Sequence, residues 1–285
     1  MQRSDTAIVF PGQGSQEEGM RDTLEGERPD LLEAVVEAVG EDPFPRVGEG
    51  TRFDQPAIFC TSLAYYERLG RPTPELFAGH SLGELTALTA AGVLTEEDAV
   101  ELVAVRGRAT DEAAAASAGG MLVLRAGRDQ ATDIAKRSGL ALANDNAPEQ
   151  VVLSGDDEAL EAGEGVADEV GVRAKRLPVS GAFHSPLMQP AVDAFTEALE
   201  AVEVAEGTAP VYSCVTCAPF DDVRKRLAEA LVSPVRWLEI MQALHAAGAR
   251  RFLEPGPGRA LSGMVSSSLE DVEIVDPESP EAARA

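Results

Sequence analysis

The chain has 285 residues, 44% of them hydrophobic and 26% charged, and 24 basic against 49 acidic side chains leave a formal net charge of −25. That length holds one large core, or one core plus a small inserted unit. So acidic a surface repels nucleic acid and anionic lipid, which removes both from the expected partners, and an acidic protein partner would need a local basic patch. Lys175–Arg176, Arg224–Lys225–Arg226 and Arg250–Arg251 are the candidate patches. Aromatic residues are only 5%, so the core must be built from Val, Leu, Ala and Ile. Cys60, Cys214 and Cys217 give no even disulfide framework. The apolar run Ala7–Phe10 is too short for a signal peptide, and no run of about 18 apolar residues offers a membrane span, so a soluble cytoplasmic protein is expected.

In chain order, Thr6–Phe10 reads as a strand ending at Pro11 and feeding Gly12-Gln13-Gly14-Ser15-Gln16. Such a loop can bring backbone N–H groups to an anion or a developing oxyanion, or it can be a plain strand–helix turn. No Lys-Ser/Thr follows the glycines, so it is not a phosphate P-loop. Pro29–Gly40 has helical apolar spacing with Gly40 as its stop, Glu41–Arg52 reads as a loop, and Gln55–Leu69 reads as a helix with Pro56 near its first turn. Thr95-Glu96-Glu97-Asp98 opens a further helix through about Ala109, which carries Arg106. Ala113–Gly120 then turns to small residues, as a hinge does. Beyond it, strand Met121–Arg125, helix Asp129–Ser138, strands Leu140–Ala143 and Gln150–Ser154, helix Asp156–Val170 and strand Val172–Leu177 follow. That βαββαβ order is the ferredoxin-like signature, and about 60 residues suit one inserted unit. Pro210–Val215 and Arg251–Glu254 read as strands, Arg259–Leu269 as a helix, and acidic Asp276–Ala285 as a disordered tail.

The chemistry centres on Gly79-His80-Ser81-Leu82-Gly83, a Gly-x-Ser-x-Gly between a short apolar run and an Ala/Leu-rich helix. This is the setting of a nucleophile elbow, where small flanking residues let the chain turn sharply and present the serine hydroxyl. Small residues also cluster in ordinary tight turns, so the motif needs company. His184 supplies it, in the loop Gly181-Ala182-Phe183-His184-Ser185, since a serine elbow followed by a loop histidine is the chain order of many serine acyl-transfer enzymes. No third, carboxylate member is evident. Cys214-Val215-Thr216-Cys217 lacks the second pair of a zinc site and the helix start of a redox motif, so its role is expected to be structural.

Pro11-Gly12-Gln13-Gly14-Ser15-Gln16, Gly79-His80-Ser81-Leu82-Gly83-Glu84, Val105-Arg106-Gly107 and Gly181-Ala182-Phe183-His184-Ser185 together resemble the family of malonyl-CoA:acyl carrier protein transacylases. The same domain is the acyltransferase of fatty-acid and polyketide synthases. Asn144-Asp145-Asn146 before a Val-Val-Leu-Ser-Gly strand, Ser233-Pro234-Val235-Arg236-Trp237 and Glu254-Pro255-Gly256-Pro257-Gly258 extend the likeness over nearly the whole chain. It implies an α/β-hydrolase-like core, residues 1–118 and 181–285, with a ferredoxin-like subdomain inserted at 119–180.

The resemblance also implies an activity, the transfer of a malonyl group from malonyl-CoA to the phosphopantetheine thiol of an acyl carrier protein. Ser81 would be the nucleophile and His184 its base. The N–H groups of Gln13 and Leu82 would form the oxyanion hole, and Arg106 would hold the malonyl carboxylate. Gln55 and Asn144 would line or support the site. The carbonyl of Ala230, where relatives usually have glutamine, would orient the histidine. Phe183 would favour malonyl over methylmalonyl by narrowing the pocket. No metal and no cofactor beyond the substrates is implied, and relatives that stand alone are often monomers. An acyl-thioester hydrolase that clears acyl carriers is the alternative, followed by a non-catalytic carrier-docking module.

Overall fold

The computed structural model describes residues 5–179 and 181–284. Its first half lays down β1 (Thr6–Phe10), α1 (Met20–Glu27), α2 (Pro29–Val39), α3 (Thr51–Arg68), β2 (Leu76–Gly79), α4 (Gly83–Ala90) and α5 (Glu96–Ala116). Then come β3 (Gly119–Leu124), α6 (Arg128–Ser138), β4 (Ala141–Ala147), β5 (Gln150–Asp156), α7 (Asp157–Glu169) and β6 (Ala174–Arg176). The chain closes with α8 (Gln189–Ala201), β7 (Val211–Tyr212), α9 (Val223–Ala230), α10 (Trp237–Ala246), β8 (Arg251–Leu253), α11 (Ala260–Ser268) and β9 (Glu273–Val275). No helix among the described residues is long and apolar enough to cross a membrane.

Two sheets result, so the class is mixed α/β. A parallel sheet runs β7-β2-β1-β8-β9. Its central strands are apolar on both faces because helices cover both. Ile8, Phe10 and Phe77 point into a core shared with α2, α3, α4, α5 and α8. Ala7, Val9, Leu76 and Ala78, on the opposite pleat, pack under Trp237, Ile240 and Met241 of α10 and Leu261 and Val265 of α11. The second sheet is antiparallel, in the order β4-β5-β3-β6. One face packs Leu122, Leu124, Val151 and Leu153 against α6 and α7 in a separate core. Met121, Ala143 and Val152 on its other face meet Phe183.

Several boundaries differ from the sequence reading. Helix α3 starts at Thr51, ahead of Pro56, because Gly50 O accepts from the N–H groups of Phe53 and Asp54 and Thr51 Oγ1 is held by Gly107 O. Helix α5 runs on to Ala116 through the expected hinge, and β4 continues to Ala147, taking Asn144-Asp145-Asn146 into a strand. Helices α1, α8 and α9 and strand β9 escaped the sequence reading; α1, for example, buries only Met20 and Leu24 and so shows no apolar period. The acidic tail expected to be disordered is packed instead from Asp276 to Arg284, Ala285 lying outside the described residues. Ala282 is fully buried, and Glu278 and Glu281 pair with Arg68 and Arg251.

The edge where β1 and β2 end is the part that matters for chemistry. Their last residues, Phe10 and Gly79, are register partners, and His80 N–H donates to Phe10 O, so the Gln13 loop and the serine turn emerge side by side. A Cβ on Gly79 would lie 1.9 Å from the backbone of Gly83, and one on Gly83 would lie 2.2 Å from Phe10 O. Only glycine permits that approach. The turn is anchored from behind by Glu84, whose carboxylate is buried and accepts the Cys214 N–H at 2.7 Å. Burial pushes its pKa from the ordinary 4.5 up to about 7, against the opposing pull of the Cys214 N–H and the positive charge of Arg106.

That shift makes a stability statement. Below 4.5 the side chain is protonated in folded and unfolded states alike. Above it the unfolded state loses its proton first, so the cost of burying the group grows until the folded side chain also ionises at about 7, and is constant beyond that. Glu84→Gln keeps an acceptor for the Cys214 N–H and removes the charge. Its Tm relative to the parent should therefore rise between about pH 4.5 and about pH 7 and level off above, and a difference that stays flat or falls across that window contradicts the buried-carboxylate reading.

Candidate active site

Ser81 sits in the turn between β2 and α4 with φ 54, in the left-handed region, and His184 has φ 58. Non-glycine residues held there mark places where surrounding structure overrides local preference. Ser81 Oγ lies 2.8 Å from His184 Nε2, and His184 Nδ1 lies 2.8 Å from Ala230 O and 3.1 Å from Ser233 O. Carbonyls only accept, so Nδ1 carries the ring proton and Nε2 is left to accept from the serine hydroxyl. Burial is the main reason the His184 pKa falls to about 3. The positive charge of Arg106 adds to that fall, and the two carbonyls oppose it. The ring is therefore neutral at neutral pH, the state a base requires.

Arg106 reaches the same hydroxyl from α5. It is 6% exposed, donates from Nη2 to Ser81 Oγ at 3.1 Å and from Nη1 to Gln55 Oε1 at 2.6 Å, and forms no ion pair with an Asp or Glu among the described residues. Burial lowers its pKa to about 10, with only partial relief from the charge of Glu84. Gln55 in turn donates from Nε2 to Thr110 Oγ1 at 3.2 Å, which fixes its amide with the oxygen toward the arginine.

These groups open on a cleft of ≈ 520 Å³ between the two sheets, which Gln13, Leu82, Gln55, Asn144 and Phe183 also line. Neither the Gln13 N–H nor the Leu82 N–H donates to another group among the described residues. Ala230 lies off the cleft and reaches it only through its carbonyl. The Phe183 ring packs toward Met121 and Val152. A Cβ on Gly181 would come within 2.6 Å of that ring, which explains the glycine. Ser81, His184, Arg106, Gln13, Leu82, Gln55, Asn144 and Phe183 thus gather at one cleft, with the Ala230 carbonyl behind it.

Some partners were not foreseen. His80 Nε2 lies 2.9 Å from Asn146 Oδ1, and its ring meets Trp237 edge-on at 5.5 Å. Asp145 N–H donates to Val235 O, and Val235 N–H to Ala143 O, so β4 is bonded to the segment whose Ser233 carbonyl holds His184. The polar triplet Asn144-Asp145-Asn146 was the available signal, but two register irregularities in β4 decide which of its side chains reaches the site. The basic patches fare differently. Arg224 donates to Leu199 O and Val202 O, Arg226 pairs with Asp221 and Glu229, and Arg176 and Arg251 pair with nearby carboxylates. Their charge is largely spent within the chain.

The chain's likeness to known proteins agrees with this geometry. The model of the acyl transferase domain matches residues 31–277. The chain is 38% identical over 306 residues to the malonyl CoA-acyl carrier protein transacylase of Bacillus subtilis, covering 98% of this chain and 96% of that protein. It is 36% identical over 282 residues to the polyketide biosynthesis protein ThaF of Burkholderia thailandensis, covering 92% of this chain and 24% of that much longer protein. The solved structure of the malonyl CoA-acyl carrier protein transacylase from Coxiella burnetii matches with a TM-score of 0.90 at 33% identity, covering 99% of this chain and 96% of that one. With most of its length matched by the family model and a relative aligned from end to end, the chain belongs to the acyl transferase domain family.

Proposed function

We propose that this enzyme moves a malonyl group from malonyl-CoA to the phosphopantetheine thiol of an acyl carrier protein through a malonyl-Ser81 intermediate. The observation that carries the reading is the buried guanidinium of Arg106, without a carboxylate partner among the described residues, 3.1 Å from the nucleophile. A malonyl thioester brings one carboxylate at the distance from its carbonyl that this placement suits. Arg106 pairs with that carboxylate, a charged contact of about 1.5–3 kcal/mol.

The steps follow from the hydrogen bonds. His184 Nε2 takes the Ser81 proton as Oγ attacks the thioester carbonyl. The N–H groups of Gln13 and Leu82, at the ends of adjacent parallel strands, receive the developing oxyanion. Collapse expels the CoA thiolate, and the imidazolium returns the proton to it. A carrier thiol then attacks the malonyl-serine by the reverse course, delivering its proton to His184 and restoring Ser81. The Ala230 and Ser233 carbonyls keep the ring oriented and stabilise its charged form in the role a carboxylate fills in other triads. No cofactor beyond the two substrates enters this scheme. Phe183 narrows the cleft against a 2-methyl branch, a preference of about 1–3 kcal/mol.

The fold proposed for this chemistry is an α/β-hydrolase-like core, residues 1–118 and 181–285, around a ferredoxin-like insert, 119–180. The β6-β3-β5-β4 strand order and the separate apolar core of the insert support it. A cytoplasmic monomer completes the reading.

Two outcomes are expected. Arg106→Ala should lower kcat/KM for malonyl-CoA by roughly 10- to 100-fold while sparing acetyl-CoA, which has no carboxylate to lose. Equal losses on both donors would contradict the carboxylate role. Because His184 stays neutral down to about 3, its activity as a base is present above that value and is lost only as the pH falls through it. The profile of kcat/KM should therefore be flat between about pH 5 and 8, and a limb near the ordinary histidine value would overturn the assignment. Repeating the profile in Glu84→Gln removes the buried carboxyl that titrates at about 7.

A further inference from the structure

We infer that Asp54 is a positioning residue for the oxyanion loop, acting through the side chain of Gln13. The inference rests on the transferase reading above, in which the Gln13 N–H receives the oxyanion. Asp54 is 3% exposed, in the first turn of α3. Its Oδ2 accepts from Gln13 Nε2 at 3.3 Å and its Oδ1 from the Gly48 N–H at 2.7 Å. It has no cationic partner among the described residues, and Asp111, which also lines the cleft, is near enough to add to the cost of its charge.

A buried carboxylate without a cation is destabilising, so its place calls for a reason. Helix capping does not supply one. The N-cap is Gly50, no side chain caps the helix, and the carboxylate oxygens face the Gln13 and Gly48 loops rather than the first-turn N–H groups. What Asp54 does is join two loops on the rim of the cleft. Within its own loop, Gln13 is surrounded by local contacts only, Gly14 N–H to Gln16 Oε1 at 2.6 Å and Ser15 Oγ to Gly12 O at 2.8 Å. The bond to Asp54 ties that loop to a long helix. The next residue, Gln55, holds Arg106 from the same helix turn. One rigid element thereby sets the distance between the oxyanion donor and the carboxylate-binding arginine. Catalysis is sensitive to that distance, since the donor must sit where the oxygen arrives in the transition state.

The test compares the parent with Asp54→Asn, Gln13→Ala and the double variant. The readouts are kcat and KM for malonyl transfer from malonyl-CoA to a carrier protein, with Tm alongside. An asparagine cannot accept from both Gln13 and Gly48, and Gln13→Ala removes the side chain while keeping the backbone N–H. Each single change should lower kcat about 10-fold with KM within about twofold, and the double variant should be no worse than the weaker single one. Losses that multiply, or an Asp54→Asn whose kcat matches the parent, would overturn the inference. So would a fall in Tm with kcat unchanged. Gln13→Ala, in an external loop, keeps the question open to measurement if Asp54→Asn folds poorly. A parent unable to transfer malonyl would sink the transferase reading itself, whereas an active parent with an indifferent Asp54→Asn sinks this inference alone.

Discussion

An arginine buried beside Ser81, with no carboxylate paired to it among the described residues, constrains everything around it. Removing such a charge from water costs several kcal/mol unless it is paired, and among the described residues Arg106 has only the amide oxygen of Gln55 and the hydroxyl of Ser81 as hydrogen-bond partners. Glu84 offsets part of that cost from a distance, and its own pKa is raised in the process of being buried. The arginine's positive charge also helps keep His184 neutral. A substrate carboxylate that neutralised Arg106 would lift that suppression and leave the histidine a stronger base. Binding and activation would then be coupled through a single charge.

The backbone is arranged to tolerate this. Both Ser81 and His184 adopt left-handed conformations, which cost of order 1–3 kcal/mol each for residues with a Cβ. The parallel sheet and its close glycine contacts hold the serine turn, and Ser185 Oγ, donating to Ala182 O at 2.6 Å, braces the turn that carries the histidine. The antiparallel sheet is bonded to this frame through Asn144, Asp145 and Val235, and through His80 and Asn146. The cleft wall and the serine turn are therefore one connected structure.

The elbow, the loop histidine and the βαββαβ order were legible because each depends on local chemistry, in small residues at a sharp turn or in a change of apolar period. Glu84 was not, since an acidic residue in a helix's first turn looks like an ordinary complement to the dipole until its partners are seen, and Asp54 stood just ahead of the helix expected to start at Gln55, where the structure has it in the first turn. Asn146 was hidden because three consecutive polar residues read as a loop, whereas β4 carries them inward. The same limit applies to charge. Arg224 and Arg226 look like a docking patch in sequence and prove to be bound to the chain's own carbonyls and carboxylates. The tail looked too acidic to fold, yet Arg68 and Arg251 draw it onto the surface.

The central claim is a covalent acyl-serine that a carrier thiol can discharge. Intact-protein mass spectrometry of the parent and Ser81→Ala, mixed with malonyl-CoA and then with a carrier protein, tests it directly. The account predicts a gain of one malonyl group in the parent only, followed by its appearance on the carrier. A gain that persists in Ser81→Ala, or one that decays to free malonate at the same rate with and without the carrier, would contradict it.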